Sequence, residues 1–262
     1  MLKLERRLLS SFLAPGHQSA LKRRRASAAT LANQKLSSVE KSRRIGHQWD
    51  AFRAGRTSKD TFSMLWAELL DMAFSKCALC ESAGPGTVEH LEEKSKTPAR
   101  AFDWENLLPA CDHCNRSRQN TGIASQPLDP SDPLVEPLDY FGWDEFCNFA
   151  PNPAHAPLVQ ATVRMYDLRR LRRERESAVM VVRTMLTSLV TETPTQQNTI
   201  LGLRSALDGA LAHRGAVREY LLRPPSHDDA FIIDSALELW PEFRQLVQPW
   251  LRPPAWAKPR WP

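Results

Sequence analysis

The sequence predicts an α+β chain in which a small, metal-stapled core is embedded in a mainly α-helical protein. Three observations predict it. Two Cys-x-x-Cys knuckles, Cys77/Cys80 and Cys111/Cys114, bracket one short segment; four thiols so paired can surround a tetrahedral zinc and fold a segment too small to build its own core. Apolar residues recur at helical spacing on both sides of that segment. The 42% hydrophobic content, with no run of membrane-spanning length, suits a folded soluble chain.

Residues 1–56 read as a basic, helical or flexible region. Thr57 and Ser58 are plausible N-caps for a helix whose Phe62, Leu65, Trp66, Leu69 and Ala73 share a face. That helix delivers the chain to Cys77 and opens a core spanning 57–125. Gly84-Pro85-Gly86 marks a tight turn, and Thr87-Val88 begins a short strand. From 126 to 157 prolines recur, which predicts an extended covering loop rather than regular structure.

Residues 158–248 read as a helical, partner-docking region. Leu168, Leu171, Ala178, Val182, Met185 and Leu189 mark one long helix, and Ile200, Leu203, Leu207, Leu211, Val217 and Leu221 mark a second. Pro224-Pro225 ends the second, and Asp228 to Trp240 predicts a shorter helix. The segment 249–262, rich in Pro and Trp, cannot be helical and reads as a disordered tail or a docking strand.

Composition narrows the function class. The opening Met-Leu-Lys-Leu-Glu-Arg-Arg lacks the apolar stretch of a secretory signal, and four of five cysteines sit in knuckle spacing. Both features point to metal rather than disulfides, a reducing cytoplasm and no membrane. Cys147 reads as a small buried hydrophobe. The formal charge of +5 is unevenly placed: Lys22-Arg23-Arg24-Arg25, Lys35, Lys41, Arg43, Arg44, Arg53 and Arg56 crowd the first quarter, and Arg169, Arg170, Arg172 and Arg173 form a second cluster. Such faces suit phosphate, so nucleic acid is the natural partner; a solvated helix face is the alternative.

Between and beside the knuckles stand Glu89-His90, Asn106 and Asn115. An acid and an amide can hold a divalent cation, and a histidine can activate water; a phosphodiesterase needs both. The blocks Cys80-Glu81, Glu89-His90, Trp104 to Leu108 and Cys111 to Asn115 resemble the HNH endonuclease family. More narrowly, they resemble the HNH component of Septu-type antiphage defence and related retron systems. A weaker likeness extends to Pro127-Leu128-Asp129-Pro130 and to the segment from Tyr166 to Leu171. The resemblance implies a ββα-metal fold, a hairpin packed on a helix around one catalytic cation. It also implies an AAA- or ABC-type ATPase partner and cleavage of foreign DNA.

In that reading His90 is the general base, its imidazole titrating near neutrality. Glu89 and Asn115 are hard oxygen ligands for Mg²⁺ or Mn²⁺, with Glu standing where the common motif has Asp. Neighbours on a strand point to opposite faces, so irregular backbone is required for Glu89 and His90 to share a site. Asn106 resembles the family's middle Asn, whose amide bonds across the hairpin loop. Arg118, three residues after Asn115, is a clamp for the scissile phosphate or a surface arginine. Lys94 resembles a family lysine, Trp104 reads as packing, and His113 as exposed. Cys77, Cys80, Cys111 and Cys114 take the structural Zn²⁺. Two alternatives stay open: a zinc-ribbon module that grips nucleic acid without cutting it, and an HNH nuclease acting on RNA.

Overall fold

The structure is a computed structural model that describes residues 4–55, 60–119, 127–144, 147–191, 196–210 and 212–248. It divides into two compact units, one comprising Leu4–Ala78 and Ala83–Arg116, the other Leu79–Ser82 and Ser117–Pro262. Among the described residues no helix is long and apolar enough to cross a membrane. Thr57, Ser58, Arg56, Leu211 and the segment 249–262 lie outside the described residues.

The first unit is built on helices that present narrow apolar stripes to a small hairpin. Helix α1 (Pro15–Asn33) starts with Pro at its first position, where the absent N–H costs no helical bond. It buries Leu21, Ala28 and Leu31 and lies along the turn Pro98–Arg100. Helix α2 (Ser38–Arg53) is capped by Ser37, whose side chain accepts from the Glu40 N–H. Its Ile45, Trp49 and Phe52 recur at i, i+4 and i+7 and are all buried. Among its described residues, the region expected as helical or flexible thus holds these two packed helices and a short helical turn over Leu9–Phe12.

Helix α3 (Thr61–Met72) begins after Asp60, which takes a left-handed conformation and makes no side-chain cap. It buries Leu65, Leu69 and Met72 as the sequence pattern predicts. It also buries Glu68, which pairs with Arg7 near the chain start. Left-handed Phe74 and Ser75 then turn the chain toward Cys77. A bridge between Lys76 and Ala83 closes the first knuckle, and Gly84 supplies a further left-handed residue.

Strand β1 (Thr87–His90) follows where the sequence places it and pairs antiparallel with β2 (Leu107–Ala110). The register sets Thr87 opposite Ala110, Glu89 opposite Leu108, and His90 opposite Leu107. Helix α4 (Asp112–Gln119) leaves the second knuckle directly. Trp104, buried, packs on Phe12 and donates its indole N–H to the Arg7 carbonyl at 2.9 Å. Arg6 bonds the carbonyls of Trp104 and Leu107, at 2.5 and 2.9 Å. The chain's first described residues are therefore part of the hairpin's packing.

The second unit corrects two expectations. The proline-rich stretch holds regular structure: β3 (Phe141–Trp143) pairs antiparallel with β4 (Phe149–Pro151). The rings of Phe141, Trp143 and Phe149 pack on one another at 5.0 to 5.5 Å, and that cluster supplies the stability the prolines deny. Helix α5 (Ala156–Met165) follows, then a tight turn over Leu168–Leu171 and helix α6 (Arg172–Thr191).

The second predicted long helix is broken. Helix α7 (Gln196–Ser205) widens into a π turn over Ala206–Ala210, His213 turns left-handed, and α8 (Arg214–Leu222) starts anew. One reason is Gly215: a Cβ there would meet the Trp143 ring at 2.4 Å. Its N–H also donates to a Glu81 carboxylate oxygen at 2.8 Å. Such close approach fixes where α8 starts and how it leaves the turn. Helix α9 (His227–Leu239) is capped by Ser226 and covers the segment where the pattern predicts a shorter helix; α10 (Pro241–Val247) is an addition to that pattern. The core joins Val182, Leu186 and Leu189 of α6 to Leu203, Val217, Tyr220, Ile233 and Phe243.

Candidate active site

The sulfurs of Cys77, Cys80, Cys111 and Cys114 all lie within 4.8 Å of one another, three of the residues buried and Cys111 half-buried. Four thiolates around one zinc at ~2.3 Å stand ~3.8 Å apart at the corners of a tetrahedron. The group needs only a slight contraction to close, so the four residues fit a tetrahedral metal ion such as zinc. Already the Cys114 N–H points at the Cys111 sulfur, 3.5 Å away. His113 is exposed, and neither it nor Cys147 belongs to the group.

Between the knuckles, the hairpin loop is clamped by one amide. Asn106 Oδ1 accepts from the Glu92 N–H at 2.7 Å, and its Nδ2 donates to the Glu92 and Arg100 carbonyls, both at 3.0 Å. The backbone adds a bond from the Leu91 N–H to the Asn106 carbonyl. Arg100 pairs with both Glu92 and Asp103, and Asp103 also receives Arg25 of α1 at 2.5 Å. These contacts fix the loop that follows His90.

His90 is buried, and its Nε2 stands 3.0 Å from the Ala101 carbonyl. A carbonyl only accepts, so Nε2 carries the proton and the neutral ring's lone pair falls on Nδ1. The Trp49 ring of α2 meets the imidazole nearly perpendicular, centroids 4.5 Å apart. Glu89 is buried too, but its neighbourhood differs, as alternation along a strand requires. It acts on Lys94, whose ammonium burial pulls below the usual lysine range. Glu89 and Asp50 oppose that fall, and Arg53 of α2 adds to it.

Asn115 is half-buried in the first turns of α4, and Arg118, one turn further on, is buried rather than a surface arginine. Residues 77–121 match the family model of the HNH endonucleases. The HNH segment covers both knuckles, the hairpin and α4, and supports a nuclease that depends on a metal ion. No curated protein matches the chain.

The sequence did not single out Trp49 or Ala101. The signal was present for Trp49: Ile45, Trp49 and Phe52 form a buried stripe at helical spacing, outside the HNH segment. The basic residues are also less uniform than their count suggests. Arg43 and Arg44 both bond Glu40 and hold its carboxyl down at about 2. Arg25 is spent on Asp103, whereas Lys22 and Arg23 are exposed. In the second cluster Arg169 and Arg173 are exposed and Arg172 pairs with Glu176.

Proposed function

We propose that this chain is a metal-dependent HNH endonuclease that hydrolyses phosphodiester bonds of DNA, with a ββα-metal core stapled by Zn²⁺ on Cys77, Cys80, Cys111 and Cys114. One observation carries the reading. Within the segment that matches the HNH family, a buried histidine is held by its Nε2–H on the Ala101 carbonyl, so that its basic lone pair falls on Nδ1. A module that only binds nucleic acid has no need of that arrangement.

In this reading His90 accepts a proton at Nδ1 from a water molecule. The water oxygen forms its bond to phosphorus while the bond from phosphorus to the leaving sugar oxygen breaks. Glu89 and Asn115, a carboxylate and an amide of the hard oxygen type, would hold Mg²⁺ or Mn²⁺. When bound, that cation supplies positive charge to the phosphate and to the departing oxygen. Asn106 keeps the loop that carries the histidine closed, and Arg118 is assigned to the scissile phosphate.

The resemblance to Septu-type systems extends the proposal to an antiphage effector in the cytoplasm, controlled by an AAA- or ABC-type ATPase. Purified protein should cleave plasmid DNA when Mg²⁺ or Mn²⁺ is added, and His90→Ala protein should not. Equal cleavage by the two proteins removes His90 from the chemistry. Binding of DNA or RNA without cleavage under any metal leaves the zinc-ribbon reading. Cleavage of RNA alone changes the substrate class. Co-purification with an ATPase expressed beside it tests the complex.

A further inference from the structure

We propose that an open cleft between the α1–α2 junction and the loop 95–99 is a subsite for one nucleotide of the strand being cut, to one side of the scissile bond, with Lys41 and Lys96 on its phosphate. The identity of that strand rests on the nuclease reading.

The cleft has a volume of about 520 Å³. Sites that hold a whole small molecule span about 300–1,000 Å³, so there is room for more than a bare anion. Ser38 and Lys41 line it from α2, and Lys96, Thr97 and Pro98 from the facing loop. Lys41 Nζ donates to the Ala32 carbonyl at 2.6 Å. An ammonium carries three N–H donors, so this bond fixes the charge at the cleft without exhausting it. Lys96 pairs with Glu93 at 3.1 Å, and its side chain is 62% exposed. So exposed a pair is worth little in water, and a phosphate can take over the ammonium at small cost.

None of the described residues lining the cleft is acidic. The acids nearest in the chain are engaged elsewhere or at the rim: Glu40 by Arg43 and Arg44, Glu93 by Lys96 and Ser95. Leu36 and Pro98 add apolar surface, which a sugar or base can cover. Ammonium groups, hydroxyls and an apolar wall together match a nucleotide.

An acidic peptide would also suit the lysines. Placement favours the nucleic acid. The loop that forms one wall runs on to Ala101, whose carbonyl accepts the His90 Nε2–H. Pro98 and Ala101 are three residues apart, so their Cα atoms stand at most about 11 Å from each other. Charges recur every ~3.4 Å along the axis of a duplex strand, so a nucleotide a few steps from the scissile bond reaches the cleft.

The test uses the full-length protein without added Mg²⁺ or Mn²⁺, and a duplex of about 20 base pairs in a salt titration. Lys41→Met with Lys96→Gln removes both ammonium groups. Ser38→Trp, at an exposed position, plugs the cleft at unchanged charge. Arg43→Gln, the control, removes a charge of α2 that faces Glu40 instead.

The double variant and the plug should each weaken duplex binding about 10-fold and lower the salt slope by roughly one unit, while Arg43→Gln matches wild type. Combining them should weaken binding no further, because both act on one subsite. With Mg²⁺ added, the double variant should raise KM and leave kcat unchanged.

Wild-type affinity and slope in the double variant would overturn the proposal. Should that variant not fold, Lys96→Gln and Ser38→Trp decide by the same measurements. If the cleft variants lose binding of a polyglutamate peptide and hold the duplex as wild type does, the cleft serves an acidic protein segment and the proposal falls. Cleavage with no effect of the cleft variants removes the subsite and leaves the nuclease. Cleft-dependent duplex binding with no cleavage under either cation removes the nuclease reading and leaves the subsite.

Discussion

Asn106 Oδ1 lies 2.7 Å from the backbone nitrogen of Glu92, and the same amide reaches back to the Glu92 carbonyl. One buried side chain thus closes the loop that leaves β1 just after His90. Asn106→Ala would strand the Glu92 N–H and two carbonyls in a buried setting, at a cost of roughly 1–3 kcal/mol for such groups. The expected outcome is a lower melting temperature, together with a loss of cleavage larger than the loss of folded protein. An unchanged melting temperature would show that water replaces the amide.

The four-thiol group should hold one zinc per chain. Structural zinc contributes on the order of 10 kcal/mol or more in small metal-folded domains. Cys111→Ser is therefore expected to lose the metal and unfold the first unit. The second unit's core, centred on Val182, Val217 and Phe243, should persist, visible as retained helical circular dichroism. Elemental analysis of well-folded wild-type protein containing no zinc would end this prediction.

His90→Ala should remove cleavage while zinc content and melting behaviour stay near wild type. Truncation forfeits the hydrogen bond to the Ala101 carbonyl, ~1 kcal/mol, and the packing on Trp49. Cleavage assays and calorimetry on the same preparation check both halves. Residual activity within a few-fold of wild type would be incompatible with the assigned role.

Charge reversal should separate two kinds of arginine. Lys22→Glu with Arg23→Glu removes exposed charges of α1 and should weaken nucleic-acid binding. Its salt dependence should flatten by roughly one unit of slope for each phosphate that is no longer neutralised. Arg25→Ala should instead act on stability, because Arg25 is paired with Asp103 on the loop behind His90. If the salt slope of the Lys22/Arg23 variant equals that of wild type, that face does not meet phosphate.

In the second unit, acid should act through Asp229. Burial alone would push its carboxyl up, but hydrogen bonds from Ser226, Arg183 and Tyr220 outweigh it and hold the group below its ordinary value. A carboxyl depressed on folding adds stability that is complete above its unfolded value, about 3.9, and is lost as pH falls through the lower folded value. Asp229→Asn is expected to cost about 2 kcal/mol at pH 7, by urea unfolding, since it forfeits charged hydrogen bonds. The gap should narrow below pH 4, and a constant gap would mean that Asp229 stays unprotonated throughout.

The sequence by itself determined the parts whose chemistry is local. Cysteines with two residues between them placed four sulfurs in two pairs, and Gly84 and the Thr87-Val88 start of β1 followed from turn and strand preferences. The stripes of α3 and α6 were legible because burial repeats with the helical period. The segment of α9 was legible as well, and Ser226 caps it because a hydroxyl is needed where four N–H groups have no helical partner.

Only the tertiary structure decided the rest, since long-range contacts leave no periodic trace. A sequence stripe could not show that the helix of Leu207 and Val217 breaks, because the break is linked to Trp143 and Glu81 closing on Gly215. Nor could it show that Arg25 is consumed by Asp103, or that Arg6 and Arg7 bind the hairpin and α3. The deciding case is His90. Its place beside an acid was readable, but the nitrogen that carries its proton is set by the Ala101 carbonyl, and the Trp49 ring of a separate helix lies against it. Those are distances between residues far apart in the chain, and packing alone fixes them.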